Sequence, residues 1–277
     1  MGFKGKEKNK NILWLSYKKR IQTKDEIIMG ILKKLTEEYF GEIEREEDLI
    51  DIHDLNVEIV SFTDNNDKFH KRGYKPKDRD TLKELLKRMI KVRGDEGNFN
   101  DIDTSDIESM VSLFNDNKTF NGNITGWNVS KVTNMRCMFY NAKSFNQDIS
   151  KWEFPKVENM SFMFSRASSF NQPIGDWEFP KVTDMSGMFS GASSFNQDIS
   201  KWKFPNVTDM NHMFYDATSF NQPIGDWKFP NVKSMNRMFY NASSFNQDLS
   251  KWDLKGKKKI EIFYDCPIKK EYKPKMK

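Results

Sequence analysis

A period of 25 residues governs most of this chain. Trp127, Trp152, Trp177, Trp202, Trp227 and Trp252 fall in register, as do Met110, Met135, Met160, Met185, Met210 and Met235. Two phenylalanine series keep the same spacing, Phe114 through Phe239 and Phe120 through Phe245. An exact period of this length means that identical supersecondary units stack on one another. Twenty-five residues are too few for a four-stranded blade or a pair of full helices; they suit one strand plus a turn or short helix per coil.

Within a coil the spacing places the strand at Ile149–Phe154, where Trp152 and Phe154 share one parity and point inward. Pro155 ends it, and Val157, Met160, Met163 and Phe164 follow at helical spacing. The residue after the second phenylalanine is always asparagine (Asn121, Asn146, Asn171, Asn196, Asn221, Asn246), which predicts a stacked amide ladder. The outward slots carry charge. One column reads Lys151, Asp176, Lys201, Asp226, Lys251; a second reads Asn128, Glu153, Glu178, Lys203, Lys228, Asp253. Coils stack about 4.8 Å apart, so strict alternation in the first column makes each neighbour an ionic partner, whereas identical charges would repel. Such exposed pairs contribute only about 0–1 kcal/mol each, so they act on register and solubility. Duplication of a two-coil unit produces the same 50-residue superperiod.

A typical copy reads F-N-Q-D-I-S-K-W-K-F-P-N-V-T-D-M-x-x-M-F. This resembles the BspA-like leucine-rich repeat family of surface-protein repeats, with F-N-x-D-I-S-x-W and V-x-x-M-x-x-M-F, over roughly residues 74–275. Phe154-Pro155, Phe179-Pro180, Phe204-Pro205 and Phe229-Pro230 stand where the family usually has Val-Ser. The resemblance implies a leucine-rich-repeat-like right-handed solenoid with one parallel strand per coil, and surface proteins that bind host or partner proteins.

The expected fold class is therefore α+β, a solenoid with a small N-terminal α/β cap region. Residues 1–75 form a helix-plus-strand region, 76–100 hold a capping helix, 101–260 are the repeats, and 261–277 are a C-terminal cap and basic tail. Asn11–Tyr17 and Asn56–Phe62 suit short strands. Thr23 and Glu26 open a helix over Lys24–Phe40, and Thr63–Arg79 is polar and turn-rich. Thr81 and Glu84 repeat the capping-box spacing; Leu82, Leu85, Leu86, Met89 and Ile90 make one apolar stripe; Gly94 ends the helix. That helix covers the first coil, since an open end exposes core residues and edge groups. In the last coil Ile260 takes the Met slot and Tyr264 the Phe slot.

Net charge is +5, but residues 101–254 carry 14 basic and 17 acidic groups while residues 255–277 carry nine and three. A slightly acidic repeat region argues against a nucleic-acid platform. No apolar run spans a membrane, and Ile12–Leu15 is too short for a signal peptide, which favours a cytoplasmic or particle-associated protein over a secreted one. Lys6 stands where N-myristoylation at Gly2 needs Ser or Thr. Cys137 and Cys266 are expected as free thiols. His53, His70 and His212 have no metal-ligand spacing, and no nucleotide or nucleophile motif occurs. The expectation is a chain with no catalytic, cofactor or metal site. It binds a protein through the exposed face, with Lys151, Glu153, Asp176, Glu178, Lys201, Lys203, Asp226, Lys228, Lys251 and Asp253 as the candidate residues. Alternatives are a structural subunit of a large assembly such as a virion, and an enzyme carried by residues 1–75.

Overall fold

The computed structural model describes residues 50, 52, 54–63 and 70–275, with the side chains of 61–63 and 70–72 left aside. The sequence-derived strand at Asn11–Tyr17 and helix at Lys24–Phe40 lie outside the described residues. The chain divides into two compact units, one of residues 1–49 and 63–71, the other of residues 50–62 and 72–277. The second unit holds the repeats.

Strands β1 (Val57–Thr63) and β2 (His70–Pro76) form a two-stranded sheet. β2 corrects the reading of 63–79 as turn-rich: its end meets the first repeat, with Tyr74 bridged in parallel to Ile102. The Tyr74 N–H donates to the Asp101 carbonyl (2.8 Å) and its carbonyl accepts from Asp103 (2.9 Å). Helix α1 (Arg79–Arg93) follows, and its cap is Asp78 rather than Thr81. The Asp78 carboxylate accepts the Thr81 N–H at 2.9 Å, which satisfies one of the orphan donors of the first turn. That bond holds the Asp78 carboxyl below the usual carboxylate range. The expected stripe is buried, with Leu82, Leu85, Leu86 and Met89 as its core. Gly94 closes the helix at φ 75°, a left-handed value that glycine adopts without a Cβ penalty.

From residue 98 onward the pairing is between repeats. Single parallel bridges join Ser109 to Asn134, Asn134 to Asn159, Asn159 to Asp184, Asp184 to Asp209, and Asp209 to Ser234. The parallel contact therefore lies beside the first Met of each repeat, and Ile149–Phe154 is turn and irregular backbone rather than a strand. The reason is the backbone around the Met-x-x-Met-Phe run. Met138, Tyr140 and Ala142 donate to carbonyls three residues back, at Met135, Cys137 and Phe139, so the segment is a chain of overlapping turns and not a helical one. These turns place residues at positive φ: Cys137 at 55°, Asn141 at 56°, Phe162 at 56°, Arg166 at 59°, His212 at 58° and Asp216 at 54°.

The alternate N–H groups are left to point sideways, all one way. Met135, Cys137, Phe139 and Asn141 donate to the carbonyls of Asn159, Ser161, Met163 and Ser165 in the following repeat, at 2.7–3.0 Å. Each later repeat but the last does the same, and the intervening carbonyls, at Arg136, Met138 and Tyr140, accept from Ser112, Phe114 and Asp116 of the repeat before. At the first repeat the Val111 carbonyl instead accepts Nε (2.9 Å) and a terminal nitrogen (2.7 Å) of Arg79 on α1.

The interior is aromatic and thioether. Every repeating Phe from Phe114 to Phe245 is essentially without solvent contact, as are Met135, Met160, Met185, Met210 and the second Met of each repeat. The rings form columns. Phe139 stacks on Phe164 at 5.5 Å and 5°, Phe164 on Phe189 at 5.7 Å, and Phe214 on Phe239 at 5.5 Å. Within one repeat Phe164 stacks on Phe170 at 4.0 Å. Phe154 meets Trp177 edge-on at 4.7 Å, which suits the ring quadrupoles. The fit of the columns depends on every repeat having the same length.

The last repeat is one residue short. Ser234 bridges Lys258, Phe239 stacks on Phe263 (5.8 Å), and Tyr240 on Tyr264 (4.7 Å). Phe263 therefore takes the Phe slot and Lys259 the Met slot, one position before the sequence register, which leaves Ile260 65% exposed and Tyr264 50% exposed.

Candidate functional site

The ten charged residues singled out from the sequence are all exposed, and they alternate with the buried Trp and Phe of the same segment. Their support is a hydrogen bond from five of the six repeat indoles. Trp127, Trp177, Trp202, Trp227 and Trp252 donate Nε1 to a carbonyl 28 residues earlier, at 2.9–3.3 Å. Below them Asp148, Asp198 and Asp248 accept the N–H of Ser150, Ser200 and Ser250 at 3.0, 2.9 and 2.8 Å, fixing the turn that leads to each lysine. These serines hold the three carboxyls below the usual carboxylate range. In the alternate repeats Gly175 and Gly225 stand in the Ser slot. A Cβ on either would lie 2.4 or 2.3 Å from the carbonyl of Asp198 or Asp248, so the backbones meet there at a distance only glycine permits.

The alternating column forms ion pairs in every second gap. Lys201 lies 3.0 Å from Asp176 and Lys251 3.0 Å from Asp226, and among the described residues no pair joins Lys151 to Asp176 or Lys201 to Asp226. Each acid thus pairs with the lysine that follows it, within the 50-residue doublet. The pairing raises both lysine pKa values. Asp176 and Lys201 remain 87% and 76% exposed, so their charge is available to an incoming group. Glu178, Lys203, Pro180 and Pro205 join them in lining an open groove of about 600 Å³ with Trp177 and Phe179 at its floor.

The asparagine series does not form the expected amide ladder. Each side-chain carbonyl accepts the backbone N–H of the next asparagine: Asn146 from Asn171, Asn171 from Asn196, Asn196 from Asn221, at 2.9–3.0 Å. A backbone donor reaches the side-chain oxygen before a neighbouring amide does. Gln197, Gln222 and Gln247 add a second donor to that oxygen, as Gln197 Nε2 to Asn171 Oδ1 at 2.9 Å, while Gln147 and Gln172 donate to the backbone carbonyls of Asn121 and Asn146.

Cys137 and Cys266 are free thiols, and burial pushes both above the usual thiol range. His212 is lowered by burial and by the nearby Arg237. Among the described residues no group of three or more His, Cys, Asp or Glu is placed to hold a metal ion, and no helix is long and apolar enough to cross a membrane.

Sequence reasoning missed a second variable surface, on the side of the parallel bridges. Tyr215, Tyr240 and Tyr264 stack at 4.9 and 4.7 Å, and Arg237 lies over the Tyr240 ring at 5.9 Å. The signal was present in the variable slots that follow the first Met of each repeat.

No curated protein and no solved structure matches the chain. A family model described as a Mycoplasma protein of unknown function, DUF285, matches residues 81–192 and 173–272. These two stretches cover more than half of the chain and coincide with the bridged, ring-stacked repeats, so the chain belongs to the DUF285 repeat family, related to the BspA-like repeats.

Proposed function

We propose that this is a non-enzymatic binding protein, a leucine-rich-repeat-like right-handed solenoid of α+β class whose charged face engages another protein. The observation that carries the reading is the pairing of a fully buried aromatic interior with two exposed charge columns, anchored by indole and Asx-turn hydrogen bonds. A pre-organised surface of this kind loses little entropy on binding. Its chemistry is opposite-sign recognition: charge complementarity selects the partner and the register more than it raises affinity. The test is capture of partners on immobilised wild-type protein and on a Lys203→Glu/Lys228→Glu variant, with quantified bound proteins. Loss of the specific set in the variant supports the reading; an unchanged set overturns it.

A second reading, a structural subunit of a larger assembly, is favoured by the end of the array. The N–H groups of Lys259, Glu261, Phe263 and Asp265 occupy the forward-donating positions of the last repeat and have no acceptor among the described residues. Unpaired edges of this kind are templates for further pairing. A protein that sediments as one species, unaffected by Phe263→Pro, weighs against it.

A further inference from the structure

The charges of the exposed face are self-complementary about a single point. We propose that this face, the binding surface proposed above, docks a second copy of the same chain in antiparallel fashion, with a two-fold axis passing between the repeat of Asp176 and that of Lys201. Such an axis lies in the interface, reverses the direction of the array, and returns each column onto itself. Residue by residue, Asp176 then faces Lys201 of the other copy and Lys151 faces Asp226. In the second column Glu178 faces Lys203 and Glu153 faces Lys228. Every one of these contacts is of opposite sign, and each occurs twice.

The neighbouring columns do not oppose the arrangement. Pro155 and Pro180 fall on Pro230 and Pro205, four exposed rings that supply apolar contact at the centre. Lys156 and Lys181 meet Asn231 and Asn206; Asp148 and Asp198 meet Pro223 and Pro173. At the margin Lys251 meets Gly126 and Asp253 meets Asn128.

Other registers do this less fully: an axis between Asp226 and Lys251 sets Asp226 on Lys251 and Lys228 on Asp253 but makes half as many contacts. Moving the axis to lie between Lys201 and Asp226 sets Lys203 on Lys228 and Glu178 on Asp253. Moving it between Lys151 and Asp176 sets Glu153 on Glu178. An axis through the repeat of Lys201 opposes like charges along the whole first column. A parallel arrangement sets Asp176 on Glu178 and Lys201 on Lys203. The order minus, minus, plus, plus of the second column makes this the register with the most opposite-sign contacts, and the alternation of the first agrees with it. The open groove at Asp176, Glu178, Lys201 and Lys203 lies on the proposed axis, where the two intramolecular pairs become one four-charge network.

Four repeats at about 4.8 Å span about 19 Å, so the contact is smaller than the ~800 Å² per partner of a standard interface and belongs to the reversible, salt-sensitive class. The test is sedimentation of the full chain over a concentration series at low and high salt, with two charge-reversed variants. Glu153→Lys/Glu178→Lys makes the four facing residues of the second column all basic, and Lys203→Glu/Lys228→Glu makes them all acidic. The expected results are a wild-type dimer that dissociates as salt rises, each variant weakened by about tenfold or more, and a mixed dimer on combining the two. The mixture controls for misfolding, since only folded variants re-associate. A wild type that stays monomeric at low salt overturns self-association, as does a mixture that stays monomeric. If the wild type is monomeric while partner capture still depends on Lys203 and Lys228, self-docking fails and the binding-face reading stands.

Discussion

The indole Nε1 of Trp202 lies 3.0 Å from the carbonyl oxygen of Ile174, and the same bond recurs at every repeat tryptophan but one. Trp152 is equally buried, and its N–H has no acceptor. An unmade bond to a buried donor costs about 1–3 kcal/mol. Trp152→Phe removes that orphan, whereas Trp202→Phe removes a made bond and leaves the Ile174 carbonyl with the Trp177 N–H alone, at 3.2 Å. Urea denaturation should find Trp202→Phe less stable than Trp152→Phe by about 1–2 kcal/mol; equal losses would show that the indole bonds contribute nothing.

Arg166 sits at φ 59° in a slot that elsewhere holds Asp116, Asn141, Gly191, Asp216 and Asn241. Asn and Asp tolerate this left-handed backbone because their short side chains bond locally, while a long side chain carries a cost of about 1 kcal/mol. Arg166→Asn should raise the unfolding free energy, and with it the denaturation midpoint, by up to about 1 kcal/mol, less the cation–π contact with Tyr140 (5.8 Å) that it removes. A lower midpoint would place the contact above the backbone strain.

Asp106 joins β2 to the second repeat, 2.7 Å from Lys75 and 2.6 Å from Lys131. The Lys131 hydrogen bond first, then that of Lys75, lowers its carboxyl to about 2. A folded-state value below the unfolded one favours folding while the group is ionised. That contribution is complete above a pH of about 4 and disappears as the pH falls through about 2. Asp106→Asn should therefore be less stable than wild type at neutral pH, with the difference closing between about pH 4 and pH 2. A difference that persists at pH 2 would assign the effect to packing.

The Asn171 side chain acts as an acceptor alone: its Oδ1 takes the Asn196 N–H at 3.0 Å and Gln197 Nε2 at 2.9 Å. Asn171→Asp keeps both bonds and should be close to neutral, whereas Asn171→Ala should cost about 1 kcal/mol. An amide-to-amide ladder would instead lose a donor with either change, so thermal melts of the two variants decide between the arrangements.

The interior was legible because burial leaves its mark on composition: the recurring Trp, Phe, Met and Val, and the Ala of the later repeats, are all buried. The exposed columns were legible as their complement, and the α1 stripe as periodicity. The parallel contact was misplaced because its backbone leaves no propensity signal. Left-handed positions held by Cys137, Phe162, His212 and Arg237 follow no residue preference, and the sequence pattern Val157, Met160, Met163, Phe164 imitates a helix while the chain makes successive turns. The cap at Asp78 was hidden by Thr81 and Glu84, which satisfy the same spacing rule three residues later. The one-residue shortening of the last repeat became visible only through the ring column that ends on Phe263.

The forward-pointing bonds of the Met-x-x-Met-Phe runs give that side of the array a head and a tail. Amide dipoles of about 3.5 D each add in sequence instead of cancelling as they do across an ordinary sheet. The guanidinium of Arg79 already neutralises the electronegative pole, and Glu261 and Asp265 stand at the electropositive one. Lengthening the protein by further duplication would move these poles apart without changing what either has to offset, so growth in this lineage is electrically free in whole repeats and in one orientation only.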